Sequence, residues 1–218
     1  EMTAKAIEIL SRNPRGFFLM VEGGRIDHGH HVGNATRALT ETIELSNAVR
    51  TSMEKTNPEE TLIVVTADHG HPFTIAGYPT RGNDILGKVI ENDPKGERSE
   101  APAKDHLGLP YTTLGYQTGP GYTGESDAQP EGPKRFLHSP RRIQGISAGR
   151  PDLKEIDTVD PDYLQEATIP LHYGTHSGED VTVHAGGPGS ALFDGVQEQH
   201  FIYHAMVEAL GWNRKESP

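Results

Sequence analysis

The sequence predicts an α/β fold from three features. Phe17 to Val21 is an unbroken apolar run between Gly16 and Gly23-Gly24, as expected of a strand covered on both faces. A helical stripe follows from about Asn34 to Lys55, with Ala35, Ala38, Leu39, Ile43, Ala48, Val49 and Met53 on one side and Asn34 placed to cap its start. Leu62 to Val65 is a second short apolar run with the character of a buried strand. Strand, helix and strand in this order read as a right-handed parallel crossover.

The remaining elements fit around that unit. Ala6, Ile7 and Leu10 recur at helical spacing from Met2 onward, and Asn13-Pro14 ends that helix. Composition changes near Gly77. Between Pro79 and Pro170 lie 11 of the 16 prolines, with many glycines and charges and no sustained periodicity. Leu107, Leu109, Tyr111, Leu114, Tyr116, Tyr122, Phe136, Leu137 and Ile143 are too many apolar residues for a solvated spacer, which favours an ordered, irregular insertion over a disordered linker. Val181 to Ala185 then reads as a strand, and Glu198 to Leu210 as an amphipathic helix ended by Gly211. The expected division is 1–78 as core, 79–171 as insertion, and 172–218 as a final core strand and helix.

Composition limits the partners and the chemistry. The formal charge is −11, which repels nucleic acid and anionic membranes, and no basic run with interleaved aromatics offsets it. A nucleic-acid-binding surface is therefore not expected. An acidic chain can still take an anionic substrate where metal ions reverse the local charge. There are 12 histidines and no cysteine, so disulfides and thiolate zinc sites are excluded while imidazole ligands are plentiful. No apolar run reaches the roughly 18–20 residues that span a bilayer, and no signal peptide is visible. Hydrophobic residues make up 33%, and Glu1-Met2 opens directly into a helical pattern. Both suit a chain that leans on a further segment upstream or on a partner.

Three clusters fall near expected strand ends, where an open α/β sheet places its ligands. The first is VEGGRIDHGHH, residues 21–31, in which Glu22 leaves the strand tip, the glycines let the backbone turn closely, and Asp27 and His31 follow. Carboxylate oxygen suits magnesium, and Asp with neutral imidazole suits zinc. The second is VTADHGH, residues 65–71, with Asp68 and His69 directly after the Leu62–Val65 run. The third is THSGEDV, residues 175–181, a glycine-flanked His176 before a strand, and alone it is weak. Together they offer two Asp, three or more His and one Glu. That inventory fits two zinc ions and a magnesium better than a single zinc, and a two-metal site suits in-line displacement at phosphorus.

At these residues the sequence resembles the carboxyl-terminal portion of the alkaline phosphatases, animal-type enzymes and their bacterial relatives. VEGGRIDHGHH, VTADHGH, GYPTRG, THSGEDV and GVQEQHFIYHAM carry the resemblance, which covers residues 1 to 78 and about 172 to 211. The family's Glu, Asp, His spacing is reproduced by Glu22, Asp27 and His31. The resemblance implies an α/β sandwich around a mostly parallel sheet, with the 79–171 stretch in the place of the crown domain. It implies that Asp27, His31 and His176 hold a first zinc, that Asp68 and His69 hold a second, and that Glu22 is a magnesium ligand. His28 would approach the phosphate through water, and His71 would orient a ligand from the second shell. The implied activity is phosphate-monoester hydrolysis through a phosphoserine, by a homodimer exported to the periplasm, the extracellular space or a membrane anchor. The family's serine nucleophile, its bridging Asp, a magnesium hydroxyl ligand and the phosphate-clamping Arg match nothing here; Ser177, Ser190 and Arg25 do not have those contexts. The chain alone is thus expected to be inactive and to need the amino-terminal portion of the same enzyme.

Two other readings stay open, a non-catalytic fragment that binds metal or a partner, and a related two-metal phosphodiesterase. Other features are given ordinary roles. His200 and His204 are four apart but lack the Glu of a metalloprotease pattern. Gly186-Gly187-Pro188-Gly189 reads as a turn. His106, His138, His172 and His184 read as ordinary polar residues and His30 as solvated. Asn34-Ala35-Thr36 fits a glycosylation acceptor but falls at a helix start.

Overall fold

Three helices, five short strands and a final helix follow one another in a computed structural model that describes residues 1–123, 132–133, 135 and 150–212. The order is α1 (Met2–Leu10), α2 (Arg25–His31), α3 (Ala35–Lys55), β1 (Ile63–Thr66), β2 (Phe73–Ile75), β3 (Leu114–Gly119), β4 (Ala167–Pro170), β5 (Val183–Gly186), a 3-10 turn (Ser190–Phe193) and α4 (Phe201–Ala209). The chain divides into two compact units. One holds Glu1–Gly23, Ile43–Gly70 and Gly178–Pro218, and the other holds Gly24–Thr42 and His71–Ser177. The content is mixed α and β, as expected.

In the first unit, α1 buries Thr3 and Ile7 and leaves its charged face to solvent. β1 pairs antiparallel with β5, from Ile63 opposite Gly186 to Thr66 opposite Val183. The Thr66 hydroxyl fastens the end of this ladder by donating to the Thr182 carbonyl at 3.2 Å. Phe193 of the 3-10 turn and Ala205 and Val207 of α4 are buried.

Three expectations are corrected here. Phe17–Val21 forms no strand, and Phe18 and Met20 are 55% and 73% exposed rather than covered. An apolar run becomes a strand only where a neighbour takes its backbone N–H and C=O groups, and no described strand lies beside this one. The parallel crossover is therefore not found; β1 has an antiparallel partner, and β3–β4 is the parallel pair among the described strands. The α3 stripe is also less covered than its periodicity suggested, with Ala35 and Ala38 buried but Ile43 and Met53 largely exposed.

In the second unit, β3 is the central strand of three. It runs antiparallel to β2, with Tyr116 opposite Phe73, and parallel to β4, with Tyr116 opposite Ala167 and Thr118 opposite Ile169. Val89, Leu114, Leu153, Tyr163 and Leu164 are buried, so the described part of the 79–171 stretch has a packed interior. Leu107 is exposed, while Phe136, Leu137, His138 and Ile143 lie outside the described residues. Arg150 ties the interior together by donating to Asp105 at 2.6 Å, to both Glu166 oxygens and to the Pro110 carbonyl.

Helix α3 starts at Asn34, as the sequence predicts. The Asn34 side chain is fully buried; its Oδ1 accepts from the Arg37 amide at 2.9 Å and its Nδ2 donates to the Pro161 carbonyl at 2.8 Å. Gln165 Oε1 accepts from the Ala35 amide at 2.7 Å, so two orphan amides of the first turn are satisfied. Asn34 is thus consumed as a cap and is not accessible for glycosylation.

Candidate metal centre

The residues that follow Gly23-Gly24 form a helix. α2 runs from Arg25 to His31, which puts Asp27 and His31 at i, i+4 on one face with His30 beside them. Gly29 is there for closeness: a Cβ at that position would meet the Ala38 amide nitrogen at 2.7 Å, so α2 can lie against the start of α3 only without a side chain. His28 falls on the exposed side of α2.

Four side chains of the second unit converge. Asp27, His31, His71 and His176 each offer a ligand atom, all within 4.8 Å of one another. The Asp27 Oδ1 to His31 Nε2 distance is 3.2 Å, Asp27 Oδ1 to His176 Nε2 is 3.4 Å, and His31 Nε2 to His176 Nε2 is 3.2 Å. Zinc–nitrogen and zinc–oxygen bonds of about 2.0–2.2 Å place tetrahedral ligand atoms about 3.3–3.6 Å apart. The three atoms therefore outline one face of such a tetrahedron and leave a fourth direction unassigned to them.

The tautomer of His31 is set by its other nitrogen. Nδ1 lies 2.7 Å from the Gly174 carbonyl, which can only accept, so Nδ1 carries the proton. In the neutral ring Nε2 then presents a lone pair toward the Asp27 carboxylate. Two electron-rich atoms at 3.2 Å are stabilised by a cation or a proton between them, and a backbone carbonyl behind the ring is the common support of a metal-ligating histidine. The donor chemistry fits zinc.

His71 stands differently. Its Nε2 is 2.7 Å from Asp27 Oδ1, a charge-assisted hydrogen-bond length and shorter than a tetrahedral edge, and its side chain is 5% exposed. Burial would raise the Asp27 carboxyl, but the His71 hydrogen bond and the charges of His31, His71 and His176 outweigh it and hold the group below its ordinary value. Burial pushes the His71 imidazole down, against the pull of Asp27. Asp27 is thereby kept ionised, and His71 donates to it through Nε2.

Sequence reasoning missed the support behind these residues. His30 is not solvated. Its Nδ1 is 2.8 Å from the Tyr116 hydroxyl, and its ring stacks on His71 with centroids 4.9 Å apart and planes 22° apart. Burial first, then the neighbouring His71 charge, pushes it down to about 4. Gly174, one of the glycines that flank His176 in the sequence, lies in a crowded place. A Cβ there would come within 3.2 Å of the Thr118 carbonyl and 3.4 Å of the His30 carbonyl, so any side chain would push the loop carrying His176 away by a few tenths of an ångström. Helical spacing from Asp27 was the available signal for His30; nothing in the sequence pointed to Tyr116 or Thr118.

Glu22, Asp68 and His69 belong to the first unit. Glu22 is exposed. Asp68 and His69 follow β1, with Asp68 Oδ2 and His69 Nε2 3.4 Å apart and the Asp68 carbonyl accepting from Gln199 at 2.8 Å. His69 Nδ1 donates toward the Gly70 carbonyl at 3.3 Å, so its Nε2 is turned to the carboxylate in the manner of His31.

An α/β protein with a carboxylate–imidazole group suited to a divalent metal is the class that these features define. The sequence profile described as alkaline phosphatase matches residues 1–212. The chain is 42% identical to the tissue-nonspecific alkaline phosphatase of Gallus gallus over 98% of its own length and 36% of that protein's. It is 40% identical to an alkaline phosphatase of Gadus morhua, covering 98% of this chain and 39% of the other. Against the human tissue-nonspecific isozyme the identity is 38%, over 96% of this chain and 34% of the other. The chain belongs to the alkaline phosphatase family. It spans roughly a third of the length of these relatives, 34 to 39%.

Proposed function

We propose that this chain supplies metal ligands for phosphate-monoester hydrolysis at a site of two zinc ions and one magnesium, and that the reaction passes through a phosphoserine. The observation that carries the proposal is the triangle of donor atoms from Asp27, His31 and His176, with edges of 3.2 to 3.4 Å. These three would hold the first zinc, Asp68 and His69 the second, and Glu22 the magnesium. When bound, the metals supply concentrated positive charge for a phosphate monoester and its leaving oxygen. The chain's own residues do the rest of the local work. His71 holds Asp27 ionised and oriented through its 2.7 Å bond, the Gly174 carbonyl fixes the His31 tautomer, and His28, exposed on α2, approaches the phosphate through water.

The nucleophilic serine belongs to an amino-terminal portion of the same enzyme, and the chain alone turns nothing over. That portion would cover Phe18, Met20 and Val21 and complete a sandwich around a mostly parallel sheet, with 1–78 and 172–218 as core and 79–171 as a crown-like insertion. A homodimer exported to the periplasm, the extracellular space or a membrane anchor is the accompanying expectation. No helix among the described residues is long and apolar enough to cross a membrane.

The test joins metal analysis to activity. His176→Ala should lower zinc content and weaken zinc binding about 10-fold or more, whereas His200→Ala should leave both unchanged, read by metal analysis after dialysis and by chelator competition. Equal losses in the two variants would refute the ligand assignment. With the amino-terminal portion present, p-nitrophenyl phosphate should be cleaved at alkaline pH; hydrolysis of a bis-ester alone would favour the phosphodiesterase reading instead.

A further inference from the structure

Residues 116 and 118 alternate onto the same face of β3, and both are tied to the metal-binding group. Tyr116 is 3% exposed, and its hydroxyl is hydrogen-bonded to His30 Nδ1 at 2.8 Å. A buried hydroxyl proton without an acceptor is costly, so Tyr116 donates, and the neutral His30 ring then carries its proton on Nε2. That ring lies flat against His71, whose Nε2 must point at Asp27. Phe73, opposite Tyr116 across the ladder, also packs on His30, with ring centroids 5.0 Å apart and planes tilted by 58°. Two residues further along β3, the Thr118 hydroxyl accepts from the Thr175 amide at 3.0 Å and meets the Thr175 hydroxyl at 3.1 Å. Thr175 directly precedes His176.

We infer that Tyr116 and Thr118 are positioning residues for the Asp27–His31–His176 donor set, Tyr116 acting through His30 and His71, and Thr118 through the backbone of Thr175. The strand is a good ruler for this purpose because it is paired on both sides, by β2 and by β4. A loop fastened by side chains alone would hold His176 less firmly, and a displaced second-shell partner typically weakens a metal site 10- to 100-fold. Tyr116 could otherwise be an ordinary core residue whose hydroxyl merely found an acceptor. The two roles differ in what the hydroxyl alone controls.

The inference rests on the metal-binding reading for its affinity arm but not for its spectroscopic arm. In metal-free protein labelled with nitrogen-15, Tyr116→Phe should move His30 from a single Nε2–H tautomer to a mixture, while amide signals away from the site stay in place. In zinc titrations with a competing chelator, the same variant should bind zinc about 10-fold more weakly. Thr118→Val should also lose about 10-fold, and Thr118→Ser, which keeps the hydroxyl, should restore affinity to within about twofold. An unchanged His30 tautomer in Tyr116→Phe would overturn the role of Tyr116. Equal zinc affinity of Thr118→Val and the unaltered protein would overturn that of Thr118. If the unaltered protein bound no zinc, the proposed function would fall, and the tautomer measurement would still decide for or against the Tyr116–His30 link.

Discussion

Buried imidazoles resist protonation, and His30 is the strongest case here, held down to about 4 from an ordinary 6.5 chiefly by burial. The groups facing it are His71, Asp27, His31 and the Tyr116 hydroxyl. When the metal-free protein unfolds, His30 regains its ordinary affinity for protons. Between about 6.5 and 4 the unfolded state therefore binds a proton that the folded state does not, and stability must fall as pH falls through that window. Above 6.5 neither state is charged and the contribution is flat. His71 is shifted in the same direction and adds to the slope. Urea unfolding of metal-free protein across pH 4 to 7 should show this rise in stability with pH, and His30→Gln should remove up to one proton's worth of it. An unaltered slope in His30→Gln would mean that His30 is protonated in the fold. The same residue shows why parts of the site were hidden in the sequence. Asp27 and His31 could be read from local spacing because they share one helical turn. His30 shares that turn too, but its task depends on a tyrosine 86 positions away, and no local pattern announces such a partner.

At the scale of elements, local signals were legible where an element is made by its own residues. Helix α3 is the plain example, since a cap residue and an apolar period suffice to specify it. β3 is the opposite. Leu-Gly-Tyr-Gln-Thr-Gly contains two glycines and little alternation, and it becomes a strand because β2 and β4 flank it on both sides. Phe17–Val21 fails in the reverse sense, with strong strand propensity and no described neighbour to pair with. The cap of α3 also binds distant chain into the second unit. Asn34→Ala would remove the Oδ1 acceptor of Arg37 and the donor to the Pro161 carbonyl in a fully buried position. A lost cap costs about 1 kcal/mol, and a buried acceptor left bare adds about 1–3 kcal/mol. Chemical denaturation should therefore show Asn34→Ala less stable by about 2–4 kcal/mol with an unchanged slope. A change below about 0.5 kcal/mol, the range of ordinary surface substitutions, would mean that the Asn34 bonds do not hold the helix start.

Across the whole molecule, the donor atoms of the candidate metal-binding group come from chain segments that are far apart in sequence: α2, His71 just before β2, and the loop after β4. A bound zinc would join Asp27 to His176 across most of the sequence, and the unfolded chain cannot present that arrangement in advance. Zinc should therefore stabilise the fold by mass action, by about 2.7 kcal/mol when its free concentration is 100 times the dissociation constant. The net charge of −11 works in the same direction, since divalent cations relieve the self-repulsion of an acidic chain, and this part would occur with any cation of the same charge. The two contributions are separable. Zinc should raise the urea midpoint far more than magnesium at equal concentration, because imidazole ligands discriminate between them while net charge does not. Asp27→Asn should abolish most of the zinc-specific part, because it removes the carboxylate at 3.2 and 3.4 Å from two imidazoles, and should leave the common part in place. If zinc and magnesium stabilised the unaltered protein equally, the effect would be general charge screening and the convergence of Asp27, His31 and His176 would not be a zinc site.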